Sequence, residues 1–178
     1  MLSFAIVFFF AVTGLTLNHA EKFVGEVKAT EEKGQLKAGW VNDPDTLRIA
    51  KLEIVEYLRK THKISAALSD FRIDPDQIGI SFKGPGFAAD VFVDRKNGSY
   101  QLSKTSAGLI GVINDLHKGR DTGRAWSVFI DVSAILLSLV SLSGLILLLF
   151  LKKRRVAGIL VALLGVALFW LIYQIWIK

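Results

Sequence analysis

The chain has 178 residues, of which 52% are hydrophobic, and it contains no cysteine. The missing thiols exclude disulfides, zinc–cysteine sites, iron–sulfur clusters and cysteine nucleophiles. The formal net charge is +6, but residues 19–126 hold 17 Lys and Arg against 15 Asp and Glu, so the excess is not a nucleic-acid signature and we expect no nucleic-acid partner.

Three stretches without charged residues indicate a membrane protein. They cover residues 1–17, 132–151 and 156–177, and a spanning helix needs about 20 apolar residues. We therefore predict transmembrane helices over residues 1–18, 127–151 and 156–177, with the lipid bilayer as partner. Signal-peptide cleavage after Ala20 would place Asn18 where a small residue is required, so a retained anchor is favoured.

The basic loop at residues 152–155 predicts the orientation of these helices. Its sequence is KKRR, and positive residues in short loops stay cytoplasmic. The second and third spans would then form a hairpin that enters from the outside. Residues 19–126 would lie outside the membrane.

Composition and periodicity predict an α+β domain over residues 46–105, after an irregular linker at 19–45. An amphipathic helix over 46–61, capped by Asp45, would cover a three- or four-stranded antiparallel meander. Short alternating runs, separated by turn residues, predict the strands, and Asn97-Gly98 predicts a hairpin. We expect His62 to be an exposed residue at the end of the helix. The predicted strands lie in residues 67–73, 77–84, 87–95 and 99–105.

A juxtamembrane helix is predicted over residues 106–126, running into the second span, with Gly119 and Gly123 as places for a kink. If the helix is continuous, four polar residues form one stripe along it. A carboxylate inside an apolar run is costly and normally faces protein. The stripe consists of His117, Arg120, Arg124 and Asp131.

The order of helix, meander and then LHKGRDTGRAW at residues 116–126 resembles the family of PepSY domains joined to PepSY-associated transmembrane helices. The ending TGLTLNH at residues 13–19 is similar to the end of the first span in that family. The resemblance covers the whole chain. It implies a small three-span protein of the bacterial inner membrane with an outward PepSY-like domain.

The resemblance also implies a cofactor. Larger four-span relatives include ferric-siderophore reductases that bind haem b, so His19 and His117 are candidate axial ligands of one haem. Arg120 and Arg124 would suit its propionates, because guanidinium pairs bidentately with carboxylate. The alternative for each histidine is a helix cap, an interfacial residue or a hydrogen-bond partner.

For Asp131 we predict a structural clamp to Arg124, Tyr173 or Gln174, with a proton-handling role as the alternative. Trp126 would mark the start of the second span, and Tyr173 would be an interfacial anchor at the outer end of the third. The predicted structural residues of the site are Asp131, Trp126, Tyr173 and Gln174.

Hydrolase chemistry is not expected, because the chain lacks HExxH, GxSxG and cysteine. The resemblance implies an accessory of extracytoplasmic electron transfer or iron metabolism, with redox or iron-uptake membrane proteins as partners and no enzyme activity of its own. The alternative function is a cofactor-free, membrane-tethered PepSY module that restrains a protease or senses the envelope.

Overall fold

The computed structural model describes residues 1–23, 27–150 and 155–176. Its contacts divide the chain into two compact units, Phe8–Ile130 and Met1–Val7 with Asp131–Lys178. The predicted α+β class is confirmed. The helices in chain order are α1 (Leu2–Asn18), α2 (Ala20–Phe23), α3 (Ala38–Val41), α4 (Lys51–His62), α5 (Gly108–Lys118), α6 (Gly123–Phe150) and α7 (Arg155–Trp176).

Five strands form one antiparallel sheet in the order β1-β5-β4-β3-β2. The four predicted strands are confirmed as a meander in which each strand pairs with the next, and Asn97-Gly98 lies in the turn of the last hairpin. The strands are β1 (Lys28–Gln35), β2 (Ala67–Ile73), β3 (Gln77–Gly84), β4 (Phe87–Asp94) and β5 (Ser99–Ser106).

One face of the sheet carries the apolar core. Alternate residues of β3 and β4 are almost completely buried, as the period-two pattern predicts. From α4 the core receives Ile54, Val55 and Leu58. The buried strand residues are Ile78, Ile80, Phe82, Ala89, Val91, Val93, Tyr100 and Leu102.

The predicted helix over 46–61 is two elements. A 3₁₀ turn covers Thr46–Arg48, and Asp45 caps it by accepting a hydrogen bond from the backbone N–H of Leu47 at 3.0 Å. The α-helical part begins only at Lys51. Leu47 precedes α4 and lies in the 3₁₀ turn, where it is 90% exposed.

The predicted irregular linker at 19–45 is wrong for residues 28–35, which form strand β1 against β5. The strand sequence KATEEKGQ has no alternation of apolar and polar residues, so the period-two test could not find it. It is an edge strand whose backbone pairs with β5. Residues 24–26 of the predicted linker lie outside the described residues.

Helices α6 and α7 are both long and apolar enough to cross a membrane. Helix α1 has 17 residues, a length of about 26 Å, slightly less than a hydrocarbon core of about 30 Å. The predicted first span therefore stays a prediction. Within the second unit, a Cβ on Gly158 would overlap Leu148, so α6 and α7 pack closely at this point. Residues 152–154 of the basic loop lie outside the described residues.

Candidate functional site

A polar contact joins α1 to the end of α5. The Nδ1 atom of His117 lies 2.7 Å from the hydroxyl of Thr13, a residue that is itself buried. The imidazole packs edge-on against Phe10 and against Gly14, where an added Cβ would lie 3.4 Å from Cε1 of His117. The glycine therefore lets the ring approach the helix backbone.

A second polar contact lies one turn along the same two helices. The hydroxyl of Thr16 donates to Oδ1 of Asn114 at 3.1 Å and also to the carbonyl of Thr13 at 2.8 Å. Asn114 is buried. Buried polar groups are costly unless they are bonded, so these two contacts fix how α1 and α5 face each other.

The hydroxyl of Thr13 also bonds within its own helix. It donates to the carbonyl of Phe9 at 2.7 Å, and its oxygen can accept from the Nδ1–H tautomer of His117. In that tautomer Nε2 keeps its lone pair, and no residue in the described part of the chain bonds to it.

The helix predicted over residues 106–126 is broken at the first of the two glycines that the sequence offers for a kink. Gly119 adopts a left-handed conformation with φ +67°, and the backbone N–H of Arg120 donates to the carbonyl of Asp115. This is a Schellman termination, which favours glycine. Asp121 and Gly123 also have positive φ, at 54° and 79°. Residues 119–122 therefore form a corner before α6.

The break changes the predicted stripe. The predicted stripe requires one continuous helix from His117 to Asp131. Arg120 lies in the corner and belongs to neither α5 nor α6. Arg120 and Arg124 are both exposed. The four polar residues therefore do not lie on one helix, which the predicted stripe requires.

Trp126 closes the corner. Its indole N–H donates to the carbonyl of Leu116 at 2.8 Å, which satisfies a carbonyl in the last turn of α5. The ring packs edge-on against Phe9 of α1 and stacks on Phe129 of α6. The LHKGRDTGRAW segment thus encodes a fixed corner, with Gly119 for the turn and Trp126 for the closure.

The structure places the two histidines of the predicted haem site in different surroundings. The ring of His117 contacts Thr13 on α1, whereas His19 directly follows α1, six residues after Thr13, and is exposed. Ligation of one haem by His19 and His117 stays a prediction.

The predicted clamp at Asp131 has no contact to support it. Asp131 and Tyr173 are exposed and Gln174 is half-buried. Within the described part of α6 and α7, the Asp131 carboxylate makes no hydrogen bond to Tyr173 or Gln174. The clamp and the proton-handling alternative both stay predictions.

His62 is not the exposed helix-end residue that its position predicts. Its side chain is 6% exposed, and its Nδ1 lies 2.6 Å from the carboxylate of Glu32 on β1. Its Nε2 lies 2.8 Å from the hydroxyl of Tyr100 on β5, and Lys104 bonds the second oxygen of Glu32. No motif marks this network in the sequence, because β1 itself was not recognisable.

The network shifts two pKa values. The hydrogen bond from Lys104, followed by that from His62, lowers the pKa of the Glu32 carboxyl from its usual 4.5. Burial, and then the neighbouring Tyr57, raises the pKa of Tyr100 above its usual 10.0. Both shifts favour an ionised carboxylate beside a protonated phenol near neutral pH.

The second face of the sheet, which we call the outer face, is polar and solvent-exposed. Phe92 lies at its centre on β4 and is 52% exposed. The register places Gln101 and Gly79 beside it on the neighbouring strands, with Lys33 and Arg72 on the two edge strands. An exposed aromatic ring amid hydrogen-bonding groups is typical of a contact surface.

A groove of about 570 Å³ opens beside Phe92, at the end of the sheet that holds the β4–β5 turn. Its charged groups have both signs, and Lys96 pairs with Asp76 at 3.5 Å. Amide side chains and exposed backbone complete the lining. The residues that line the groove include Lys33, Gly34, Asp76, Phe92, Lys96 and Gln101.

The fold and these surfaces define a class of protein: a small α+β domain whose chain continues into long apolar helices. The family model described as "Putative PepSY_TM-like" matches residues 1–178. The chain therefore belongs to this family and is a PepSY-associated membrane protein, which confirms the resemblance. Neither the curated proteins nor the solved structures give a match to the chain.

Proposed function

We propose that the chain is a membrane-tethered PepSY binding module that takes an extended polypeptide segment on the outer face of its sheet. The observation that carries this proposal is Phe92, an aromatic ring left half exposed at the centre of a sheet whose other face is well packed. Isolated exposed apolar residues are common, but this one borders a groove of about 570 Å³.

The lining of the groove favours a polypeptide over other ligands. Lys96 and Asp76 offset each other's charge, so the groove does not select a polyanion. Gln101 offers an amide donor and acceptor beside Phe92. A peptide supplies matching amide groups together with an apolar side chain for the ring. The partner that the PepSY resemblance suggests is a protease, which the module would restrain.

A photocrosslinking experiment tests the binding surface in cells. A benzoylphenylalanine at position 92 should form an adduct with one partner polypeptide, and Gln101→Ala should weaken that adduct at least several-fold. The matched control places the same group at Leu52, which is 70% exposed on α4 and faces away from the sheet. Equal adducts at both positions, or none at position 92, would refute the proposal.

The proposed orientation places the PepSY domain outside the bacterial inner membrane and the basic loop at 152–155 in the cytoplasm. Its support is the positive-inside rule. Because the chain has no cysteine, single cysteines at Lys96 and Lys152 report their side directly. A membrane-impermeant maleimide should label Lys96→Cys in intact spheroplasts and leave Lys152→Cys unlabelled until lysis. The reverse labelling would contradict the orientation.

A second candidate function is extracytoplasmic electron transfer or iron metabolism with one b-haem. One observation favours it: Nδ1 of His117 lies 2.7 Å from the hydroxyl of Thr13, and Nε2 makes no hydrogen bond within the described residues. Such a hydrogen bond orients histidine ligands in metal sites. Arg120 and Arg124 are exposed nearby in the sequence, and they would suit the propionates.

Absorption spectroscopy tests the haem. Protein purified after growth with added haem should show a Soret band that His117→Ala abolishes. If His19 is the second axial ligand, His19→Ala should abolish the band as well. A colourless wild-type protein would exclude haem binding. A band that His19→Ala keeps would exclude His19 as a ligand.

A further inference from the structure

Strand β1 lies at the edge of the sheet and lacks the buried apolar side chains that stabilise the inner strands. Cross-strand partners share a face, so the pairing of Glu32 with Leu102 and of Gly34 with Tyr100 places Thr30, Glu32 and Gly34 on the core side. None of these side chains is apolar and large. The hydrophobic effect therefore contributes little to holding β1 in place.

The contact that joins β1 to the domain core is a charged one. Glu32 accepts hydrogen bonds from His62 of α4 and from Lys104 of β5, one at each carboxylate oxygen. Lys104 is largely buried, with 20% of its side chain exposed, and His62 is more buried still. In the described part of the chain, no other β1 side chain bonds to α4.

All titratable groups that face Glu32 in the described residues lie on these two elements. They are His62 on α4 and Lys104 and Tyr100 on β5, with Tyr57 of α4 behind Tyr100. Each donor needs the carboxylate as an acceptor. If the carboxylate is protonated, Lys104 loses its ion pair, and hydrogen bonds to an ionised group are the strong ones.

We propose that β1 is an acid-releasable strand, which the Glu32 carboxylate fastens to His62 and Lys104 and which detaches locally when that carboxylate loses its charge. The strand leads back toward α1 and can fray from its N-terminal end. The backbone hydrogen bonds with β5, and Leu36, which is buried in the core directly after the strand, are the remaining restraints. Edge elements with few buried apolar contacts open at low free energy.

Release of β1 would regulate the groove on the outer face. Lys33 and Gly34 of β1 line the groove together with Gln101 of β5, so a detached β1 removes one wall. This consequence rests on the proposed binding function. The release itself does not, and it can be measured without any ligand.

Hydrogen–deuterium exchange on the full chain in lipid nanodiscs tests the release. At pH 7, Glu32→Gln should exchange the amides of residues 28–35 on the order of tenfold faster than wild type, the loss expected for one charge-assisted contact. Amides of β3 should keep their wild-type rates. As the pH falls below 4.5 and through the lowered pKa of Glu32 in the folded protein, the ratio of variant to wild type should approach one, because the wild-type carboxylate becomes protonated.

Glu31→Gln is the matched control. Glu31 is the preceding residue on the outer face, where it is exposed and accepts a hydrogen bond from Gln101. Glu31→Gln therefore changes the net charge by the same amount as Glu32→Gln and leaves the contact with His62 intact. Its β1 amides should exchange at wild-type rates. A ratio near one for Glu32→Gln at pH 7, equal effects of the two variants, or equal acceleration of β3 would each overturn the proposal. Loss of groove binding without faster exchange would leave the binding function standing and reject the release.

Discussion

Strands β3 and β1 belong to the same sheet but are stabilised in different ways. β3 buries Ile78, Ile80 and Phe82 against α4, with at most 1% of each exposed. β1 buries no large apolar side chain and is held by Glu32. Apolar burial hardly depends on pH, whereas an ion pair does. The sheet therefore combines a permanent core with an edge that responds to its surroundings.

The largest expected effect comes from a substitution in the apolar core. Phe82→Ala removes a fully buried ring from β3 and should lower the free energy of unfolding by about 3–5 kcal/mol. Thermal unfolding of the purified protein in detergent, followed by near-UV circular dichroism, measures the loss. The matched control is Phe92→Ala on the exposed face, where the change should stay within about 0.5 kcal/mol. Similar losses in both would contradict the assignment of the two faces.

The corner between α5 and α6 combines both kinds of contact. Trp126→Phe keeps most of the ring packing but removes the indole donor, so the carbonyl of Leu116 keeps only the backbone N–H of Gly119 at 3.3 Å. The lost hydrogen bond costs about 0.5–1.5 kcal/mol, the smaller ring loses apolar burial as well, and the melting temperature should fall accordingly. Trp40→Phe is the control, because Trp40 packs on Tyr57 and its indole N–H makes no hydrogen bond within the described residues. If both substitutions lower the melting temperature equally, ring size and not the hydrogen bond matters at the corner.

The polar contact between α1 and α5 should have a smaller effect. Thr13→Val is nearly isosteric and leaves the Nδ1 proton of His117 without an acceptor, which should cost about 0.5–1.5 kcal/mol. Thr61→Val at an exposed position of α4 is the control and should change the melting temperature little. Unchanged stability of Thr13→Val would show that packing of Phe10 and Gly14 alone holds α1.

The sequence allows the apolar parts of the fold to be predicted and hides the polar ones. The alternation in β2–β5 and the charge-free runs of α6 and α7 are period and composition signals, and both were readable. β1 has neither signal, because its position depends on Glu32 meeting His62 and Lys104 from distant parts of the chain. The same holds for the pairing of Thr13 with His117, which are 104 residues apart.

The corner shows a different limit of sequence reasoning. Gly119 and Gly123 suggested a kink, yet helical spacing still placed His117 and Asp131 on one face. A Schellman turn at Gly119 redirects the chain, so angular positions cannot be carried across it. A glycine followed within a few residues by a second glycine should therefore reset the helical count before any site is inferred from it.

The smallest expected effect is the pH dependence of the stability that Glu32 contributes to β1. The pKa of Glu32 is lowered in the folded protein from 4.5, so its contribution to stability is complete above about pH 4.5 and is lost as the pH falls through the lowered folded value. The melting temperature of wild type should exceed that of Glu32→Gln at pH 7, and the difference should shrink below pH 4. Because the Glu32 side chain is 37% exposed, solvent screening keeps the difference small. The melting temperature of Phe82→Ala should not converge with that of wild type at low pH, because this variant loses stability through apolar burial. If the difference in melting temperature between wild type and Glu32→Gln is constant from pH 7 to pH 3.5, the carboxylate charge does not stabilise the edge of the sheet.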